Sequence, residues 1–250
     1  EAKVVANSDG TGSAITDAAS VYLGHILYIT FSHSITGGTT VVDKTIPYAV
    51  TKNGTYTFTV TGTVNGKSYT KNVSVTVNQF KDVYEYMQTN TKVTYPDGDV
   101  WIPEGFKVAD DSASTVQGGV VIEDKDGNQF VWVPVDTISD YKRTWYTGSG
   151  GITFGSYSET LKDDEKTSVT TYKGFYIGRY EAGDKESTVA KTLRSSNDVT
   201  KTVTIKANQA PYNYVTRTQA KSLAEGVKTQ QGYKAKTKLV SSYAWDTTIA

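Results

Sequence analysis

The sequence predicts a mainly β protein whose second domain belongs to the α+β class. Three observations support this prediction. The chain is rich in residues that favour strands, with 18 tyrosines and many threonines and valines. Residues 21–77 alternate between apolar and polar side chains, which indicates half-exposed antiparallel strands. Helical spacing of apolar residues enters only after that region. A chain of 250 residues has room for one large domain or two ordinary ones.

Charge and composition exclude several classes of function. The formal net charge is zero, so we expect no broad field of the kind that non-specific binding to nucleic acid or anionic membranes requires. The longest apolar run, residues 21–31, is too short to span a bilayer, so no membrane insertion is expected. There are no cysteines, which excludes disulfides, thiolate nucleophiles and cysteine-ligated metals.

Residues 1–79 are predicted to form an immunoglobulin-like β-sandwich, with residues 1–20 as a lead-in or edge strand. Tyr56, Phe58 and Val60 share one face of a strand, with threonines on the other. Asn65-Gly66 is the strongest two-residue hairpin signal, because a type I′ turn needs positive φ at both central positions. In pattern, this region resembles the bacterial Ig-like modules that string along surface proteins.

Residues 80–99 are predicted to be a helix and linker between the domains. Phe80, Val83, Tyr84 and Met87 fall at i, i+3, i+4 and i+7, which is the spacing of a helical stripe. We therefore place the domain boundary at residues 78–80.

Residues 100–250 predict strands followed by helices. Asp126-Gly127 marks a hairpin turn, and "GFYIGRYEAG" at 174–183 indicates a buried central strand in which glycine permits close packing. Residues 136–171 are predicted to be a long irregular stretch.

Two helices are predicted near the end of the chain. Thr216 and Gln219 form a capping box that starts the first helix, and Gly226 is its expected C-cap. The second helix is predicted to begin at Ser241 or Ser242.

Four segments of the second domain resemble the formylglycine-generating-enzyme-like (sulfatase-modifying factor) domain. They are "FVWVPV" at 130–135, "GFYIGRYEAG" at 174–183, "PYNYVTRTQAKSLAEG" at 211–226 and "KLVSSYAW" at 238–245. The resemblance implies a C-type-lectin-like fold. The same fold, without catalysis, forms the variable binding proteins of diversity-generating retroelements in bacteria and phages.

Two departures from that family affect the expected function. The family's enzymes bind copper through a cysteine pair, and this chain has no cysteine. By this comparison the chain also ends within the domain, so we expect a truncated domain. Either a second chain or neighbouring subunits complete it, or the sequence is a fragment, or the domain is adapted to a shorter structural role. The resemblance leaves calcium possible as a cofactor, with the scattered carboxylates Asp110, Asp111, Asp163 and Asp164 as unranked candidates.

Other candidate sites have simpler structural interpretations. Glu181 and Asp184 could be an acid–base pair, but a strand end turning into solvent, with Arg179 or a lysine nearby, is the favoured interpretation. Residues 123–129, "EDKDGNQ", place their glycine too early for an EF-hand and favour a hairpin turn. His25 and His33 have no visible third partner for a metal.

Aromatic residues provide the candidate contact surface. The predicted ligand-binding residues are Trp145, Tyr146, Phe154 and Tyr157, in a polar, glycine-bearing stretch where rings supply contact area at low entropic cost. Trp101 is a further candidate, whereas Trp132 alternates as a core residue.

The sequence thus predicts a non-enzymatic binding or adhesion protein of bacterial or phage origin, displayed at a cell or virion surface and recognising a protein or carbohydrate ligand. The first alternative is a structural subunit of a filament, pilus or virion that completes its sheet with a neighbour's strand. The second alternative is a degenerate oxidase of the formylglycine-generating type.

Overall fold

A computed structural model describes residues 1–16, 21–144, 159–185 and 199–250. Strands account for 33% of the described residues and helices for 15%, which confirms the prediction of a mainly β chain. The chain divides into two compact units. The first unit comprises Glu1–Val83 and Val93–Pro96, and the second comprises Tyr84–Lys92 and Asp97–Ala250.

The strands are short except for one pair of eleven residues each. In chain order they are β1 Lys3–Val5, β2 Val21–Tyr22, β3 Leu27–Thr30, β4 Thr39–Val42, β5 Tyr48–Val50, β6 Gly54–Val64, β7 Lys67–Val77, β8 Phe80–Lys81, β9 Thr91–Tyr95, β10 Gly98–Ile102, β11 Phe106–Val108, β12 Val121–Asp124, β13 Gln129–Pro134, β14 Gly174–Gly178, β15 Gly183–Asp184 and β16 Val203–Thr204. The helices are α1 Asp163–Tyr172, α2 Arg217–Gln231 and α3 Ser242–Ile249.

The first unit contains two three-stranded antiparallel sheets that share one core. Their strand orders are β1-β3-β5 and β4-β6-β7. Leu27 and Ile29 from the first sheet and Phe58 and Val75 from the second belong to the same buried cluster. The alternation of apolar and polar residues predicted strands such as β3, in which every second side chain is buried.

The Asn65-Gly66 turn joins β6 to β7 as predicted. Asn65 has φ 51° and Gly66 has φ 73°, the left-handed conformation that a type I′ turn needs at both positions. The strands then pair without interruption from Val64 opposite Lys67 to Gly54 opposite Val77.

The predicted helix at residues 80–90 is wrong. Phe80 and Lys81 form β8, which runs parallel to β2, and residues 82–90 are irregular. Three of the four stripe residues are buried, but Met87 uses its backbone to bond Phe106 and Gly105 instead of a helical turn. Apolar spacing alone cannot separate a helix from an irregular segment whose side chains reach a core one by one.

The second unit contains a four-stranded antiparallel sheet in the order β11-β12-β13-β14. The hairpin at Asp126-Gly127 is confirmed, since β12 and β13 flank it. The prediction that 174–183 is a buried central strand is wrong, because the strand β14 ends at Gly178, is the outer strand of this sheet and is mostly half-buried. The close-packing role of glycine is confirmed at Gly174, where an added Cβ would lie 2.3 Å from the Trp132 ring.

The two predicted helices are present, with one corrected boundary. The capping box of Thr216 and Gln219 starts α2, and Ser241 caps α3. However, α2 continues past Gly226 and ends at Gly232, whose φ of 73° supplies the left-handed C-cap. A glycine inside a helix costs only about 1 kcal/mol, so it does not have to end one.

Helix α1 corrects the prediction that residues 136–171 are irregular throughout. Its sequence, "DDEKTSVTTY", buries only Glu165 and Val169, so its apolar periodicity is weak. The signal that could have indicated it is the run of three acidic residues in its first turn, which favourably faces the positive end of the helix dipole.

Two glycine substitutions should have opposite effects on stability. Gly174→Ala should lower the free energy of unfolding by about 1–3 kcal/mol, because the new methyl group overlaps a buried ring. Gly226→Ala is the matched control and should raise it by up to about 1 kcal/mol, since a Cβ there meets no atom within 4 Å. Urea unfolding followed by tryptophan fluorescence would measure both. A Gly174→Ala protein as stable as the wild type would contradict the packing described here.

Candidate binding surface

The β6–β7 hairpin presents a long, exposed sheet edge. Both strands are eleven residues long, and β7 is the outermost strand of the order β4-β6-β7. The first six residues of β7, from Lys67 to Asn72, are all exposed. A strand at the edge of a sheet pairs with a neighbour on one side only, so the N–H and C=O groups on its other side have no backbone partner.

The register determines which backbone groups of β7 point outward. In an antiparallel pair closed by a two-residue turn, the residues flanking the turn exchange both hydrogen bonds, and the pattern then alternates. Val64 and Lys67 flank this turn, so Lys67, Tyr69 and Lys71 bond to β6. The N–H and C=O groups of the alternate residues therefore face away from the sheet, and no backbone partner for them exists within the described ranges. These outward residues are Ser68, Thr70, Asn72, Ser74 and Thr76.

The same alternate positions carry a face of uncharged polar side chains. Across the two strands, the hydroxyls of Thr57 and Ser74 lie 3.0 Å apart, and Thr59 donates to the Asn72 amide oxygen at 3.2 Å. Further pairs continue the row at both ends, namely Thr55 with Thr76 and Thr63 with Ser68. Cross-strand pairs of this kind stabilise the hairpin from a face that is largely open to solvent.

The opposite face of β7 is basic near the turn. Lys67, Tyr69 and Lys71 share this face because side chains alternate along a strand. Tyr69 is 57% exposed, and β7 contains no acidic residue. No carboxylate forms an ion pair with either lysine in the part of the chain that the structure describes.

A second group of functional side chains surrounds Glu165, which is buried in the first turn of α1. Its carboxylate accepts hydrogen bonds from the hydroxyl of Tyr141, the ammonium of Lys238 and the hydroxyl of Ser241. Ser241 also accepts from the Ala244 amide as the N-cap of α3. The cluster therefore connects α1 to the start of α3.

The electrostatics of this cluster favour an ionised carboxylate. Burial raises the pKa of Glu165, but the hydrogen bonds from Lys238, Ser241 and Tyr141 together outweigh it, so the pKa lies below the usual value. Burial, reinforced by the adjacent carboxylate, raises the pKa of Tyr141 well above that of an ordinary tyrosine. Ser241 and Lys238 both donate to the Glu165 carboxylate.

A third group centres on Asp124, at the end of β12. Its carboxylate accepts from the backbone amides of Asp126 and Asn128 at 2.9 and 2.8 Å, and from the Asn128 side chain at 2.7 Å. The Tyr233 hydroxyl donates to it at 2.5 Å. Asn128 also accepts from the Ile205 amide at 2.8 Å. These bonds fix the 124–128 turn and join it to the segments around residues 205 and 233.

Both buried carboxylates accept hydrogen bonds from groups of the fold itself. Every donor around Glu165 and Asp124 holds a turn or a helix end in place, and both carboxylates are largely enclosed, with Asp124 only 4% exposed. The pKa of Tyr233 is raised, first by burial and then by its bond to Asp124, so it stays protonated and donates. We interpret both groups as anchors for the fold of the second unit.

The predicted ligand-binding residues Trp145, Tyr146, Phe154 and Tyr157 lie outside the described residues. Trp101 is half-buried, with its ring 5.4 Å edge-on from that of Tyr172. Trp132 is a core residue, as predicted, at 3% exposure.

The predicted solvent-facing strand end is corrected in part. Glu181 is exposed, but Asp184 is buried in β15, where it is 6% exposed. Arg179 bonds neither of them. It makes an ion pair with Asp111 at 2.8 Å and a hydrogen bond to Gln129 at 2.9 Å.

The remaining metal candidates are not brought together. Among the described residues, no three His, Cys, Asp or Glu side chains are placed to hold a metal ion. Asp110 lies 3.5 Å from the Lys107 ammonium, while Asp163 and Asp164 are exposed in the first turn of α1. His25 is half-buried, which lowers its pKa, and the exposed His33 contacts the Thr40 hydroxyl at 2.8 Å.

Sequence reasoning did not find the β7 edge, although one signal was available. The two halves of the hairpin are of equal length around Asn65-Gly66, but the apolar alternation in β7 stops at Val73. The residues from Lys67 to Asn72 therefore had to project beyond the apolar core or line an exposed edge.

No helix among the described residues is long and apolar enough to cross a membrane. No protein-family model, curated protein or solved structure matches this chain.

The Glu165 cluster should make the stability of the second unit sensitive to acid. A carboxylate whose folded pKa is lowered stabilises the fold above its unfolded pKa, and this contribution is lost as pH falls through the folded pKa. Glu165→Gln should lower the free energy of unfolding by about 2 kcal/mol at neutral pH. The effect is kept modest because Lys238 is 43% exposed.

Tryptophan fluorescence does not sense the first unit, since the sequence of that unit contains no tryptophan. The difference in free energy of unfolding between wild type and Glu165→Gln should disappear when urea unfolding is repeated at a pH well below the pKa of an ordinary glutamate. Glu225→Gln is the control, because its pair with Lys221 is exposed at both ends and 3.8 Å long. If the difference in free energy of unfolding stayed the same at low pH, the charge of Glu165 would not contribute to stability.

Proposed function

We propose that this chain is a non-enzymatic protein-binding module displayed at a cell or virion surface, and that it captures an extended segment of its partner along β7. The observation that carries this proposal is the outward edge of β7. Five residues there present backbone donors and acceptors in register, and no described strand covers them. Strand addition to such an edge is a recurring mode of peptide recognition.

The β7 edge is preorganised for binding in the free protein. The Asn65-Gly66 turn and the row of cross-strand hydroxyl pairs already fix β7 against β6. Only the incoming segment therefore has to lose conformational freedom. Each backbone hydrogen bond formed contributes about 1 kcal/mol net, so a series of them makes micromolar affinity accessible.

The proposal includes the two fold assignments from sequence. The first unit would be an Ig-like sandwich, an assignment supported by two three-stranded sheets around one core. The second would be a lectin-type domain related to formylglycine-generating enzymes, supported by the two capped helices α2 and α3 at the predicted positions. A binding role is further supported by the lack of cysteine and by buried carboxylates that serve as structural anchors.

A structural subunit of a filament, pilus or virion is the second candidate, and the same edge favours it. In that case the added strand would come from a neighbouring subunit. The two candidates differ in the identity of the donor, so one variant can test both.

Thr70→Pro should weaken binding along the edge without unfolding the protein. The Thr70 amide points outward, so proline removes a donor from the free edge and none from the β6 pairing. Extended peptides selected from a random display library on the immobilised wild-type chain should bind Thr70→Pro at least about tenfold more weakly. Lys71→Pro is the matched control for orientation, because it removes an inward donor and should destabilise the hairpin.

Sedimentation over a range of concentrations distinguishes the second candidate. Assembly of the wild-type chain that is lost in Thr70→Pro would assign the edge to a neighbouring subunit. Peptides that bind both proteins equally, in a chain that does not assemble, would overturn strand addition at β7.

A further inference from the structure

We infer that the β7 edge selects extended segments carrying two acidic residues four positions apart, with a non-acidic residue midway between them. This inference rests on the proposed function, since it describes the partner that strand addition at β7 would recruit. It goes further by assigning the partner's side-chain chemistry.

The spacing follows from the placement of the two lysines. Lys67 and Lys71 are four residues apart, so their side chains leave the same face of β7 with Tyr69 between them. In an antiparallel added strand, the residues directly opposite these lysines are also four apart and share that face. Directly opposite side chains in such a pair have Cβ atoms about 5 Å apart, which suits lysine–carboxylate pairs.

The charge of the strand identifies the partner as acidic. β7 carries two exposed lysines and no acidic residue, and neither lysine makes an ion pair with a described residue. A strand with basic or neutral residues at both opposing positions would leave this pair of charges uncompensated. A strand with two carboxylates would compensate both.

The same charges disfavour a second copy of this strand. Pairing β7 antiparallel with itself about Tyr69 would place Lys67 opposite Lys71 twice. No other register would pair either lysine with a carboxylate, because β7 contains no acidic residue. Lysines on edge strands commonly prevent such self-association, and here they would also select an acidic partner.

The other face of the added strand would meet the uncharged row. Its side chains would lie beside Ser68, Thr70 and Asn72, whose polar groups already pair with β6 in part. Small hydroxyl-bearing residues would extend this row by one strand. The partner segment is therefore expected to alternate acidic or apolar residues on one face with Thr or Ser on the other.

Three synthetic peptides of equal length test the inference on the full chain. The first, Thr-Glu-Thr-Val-Thr-Glu-Thr, places both glutamates opposite the two lysines. The second replaces both glutamates with lysine. The third, Thr-Glu-Thr-Val-Glu-Thr-Thr, has the composition of the first but puts its glutamates on opposite faces. Calorimetric or fluorescence titration should show the first peptide binding about tenfold more tightly than either control. Raising salt from about 0.05 M to about 0.5 M should reduce this advantage.

A charge-reversed protein completes the test. Lys67→Glu combined with Lys71→Glu changes two exposed side chains and should invert the preference, so that the lysine peptide binds best. If the wild-type chain binds all three peptides equally and the Thr70→Pro variant binds none of them, strand addition stands and the acidic preference is overturned. If no peptide binds the wild-type chain, or if Thr70→Pro binds as well as wild type, the proposed function itself fails.

Discussion

The uninterrupted pairing of β6 with β7, fixed by one two-residue turn, is the constraint on which the account of the first unit depends. Side chains alternate along a strand, so a slip of one residue would exchange the two faces. The present register places Phe58 and Val75 in the core and the threonines of β6 on the opposite face. The same register turns alternate backbone groups of β7 away from the sheet. Core formation and the open edge therefore have a single structural cause.

The second unit is organised by two buried carboxylates. Asp124 holds a tight turn and receives the hydroxyl of Tyr233, which is 109 residues away in sequence. Glu165 joins α1 to the residues that start α3. Removing one partner from such a group leaves a buried charge uncompensated, so these contacts are costly to lose. They explain why polar residues occupy this interior.

The sequence predicted those features that depend on local patterns. The Asn65-Gly66 turn follows from the backbone needs of two residues, and the capping box of α2 from two side chains three positions apart. The alternation in β6 likewise follows from a sheet that has one face in the core and the other towards solvent. Each of these signals is complete within a short window.

The features that the sequence did not predict depend on distant partners. Met87 is buried through bonds to Gly105 and Phe106, which no periodicity near residue 87 can reveal. Helix α1 buries a charged residue, Glu165, whose partners lie 24 to 76 residues away. The β7 edge is defined by the absence of a described neighbour on one side, which depends on the order of strands in the sheet. Its free backbone groups could be recognised only once that order was known.

Amide hydrogen exchange along β7, followed residue by residue by NMR in the free protein, tests the central claim most directly. The amides of Thr70, Asn72 and Ser74 should exchange rapidly, whereas those of Tyr69, Lys71 and Val73 should be protected by β6. When a binding peptide is added, the amides of Thr70, Asn72 and Ser74 should become protected, whereas the other three should not change. Uniform protection of all six amides in the free protein, or protection of the opposite set, would contradict the open edge.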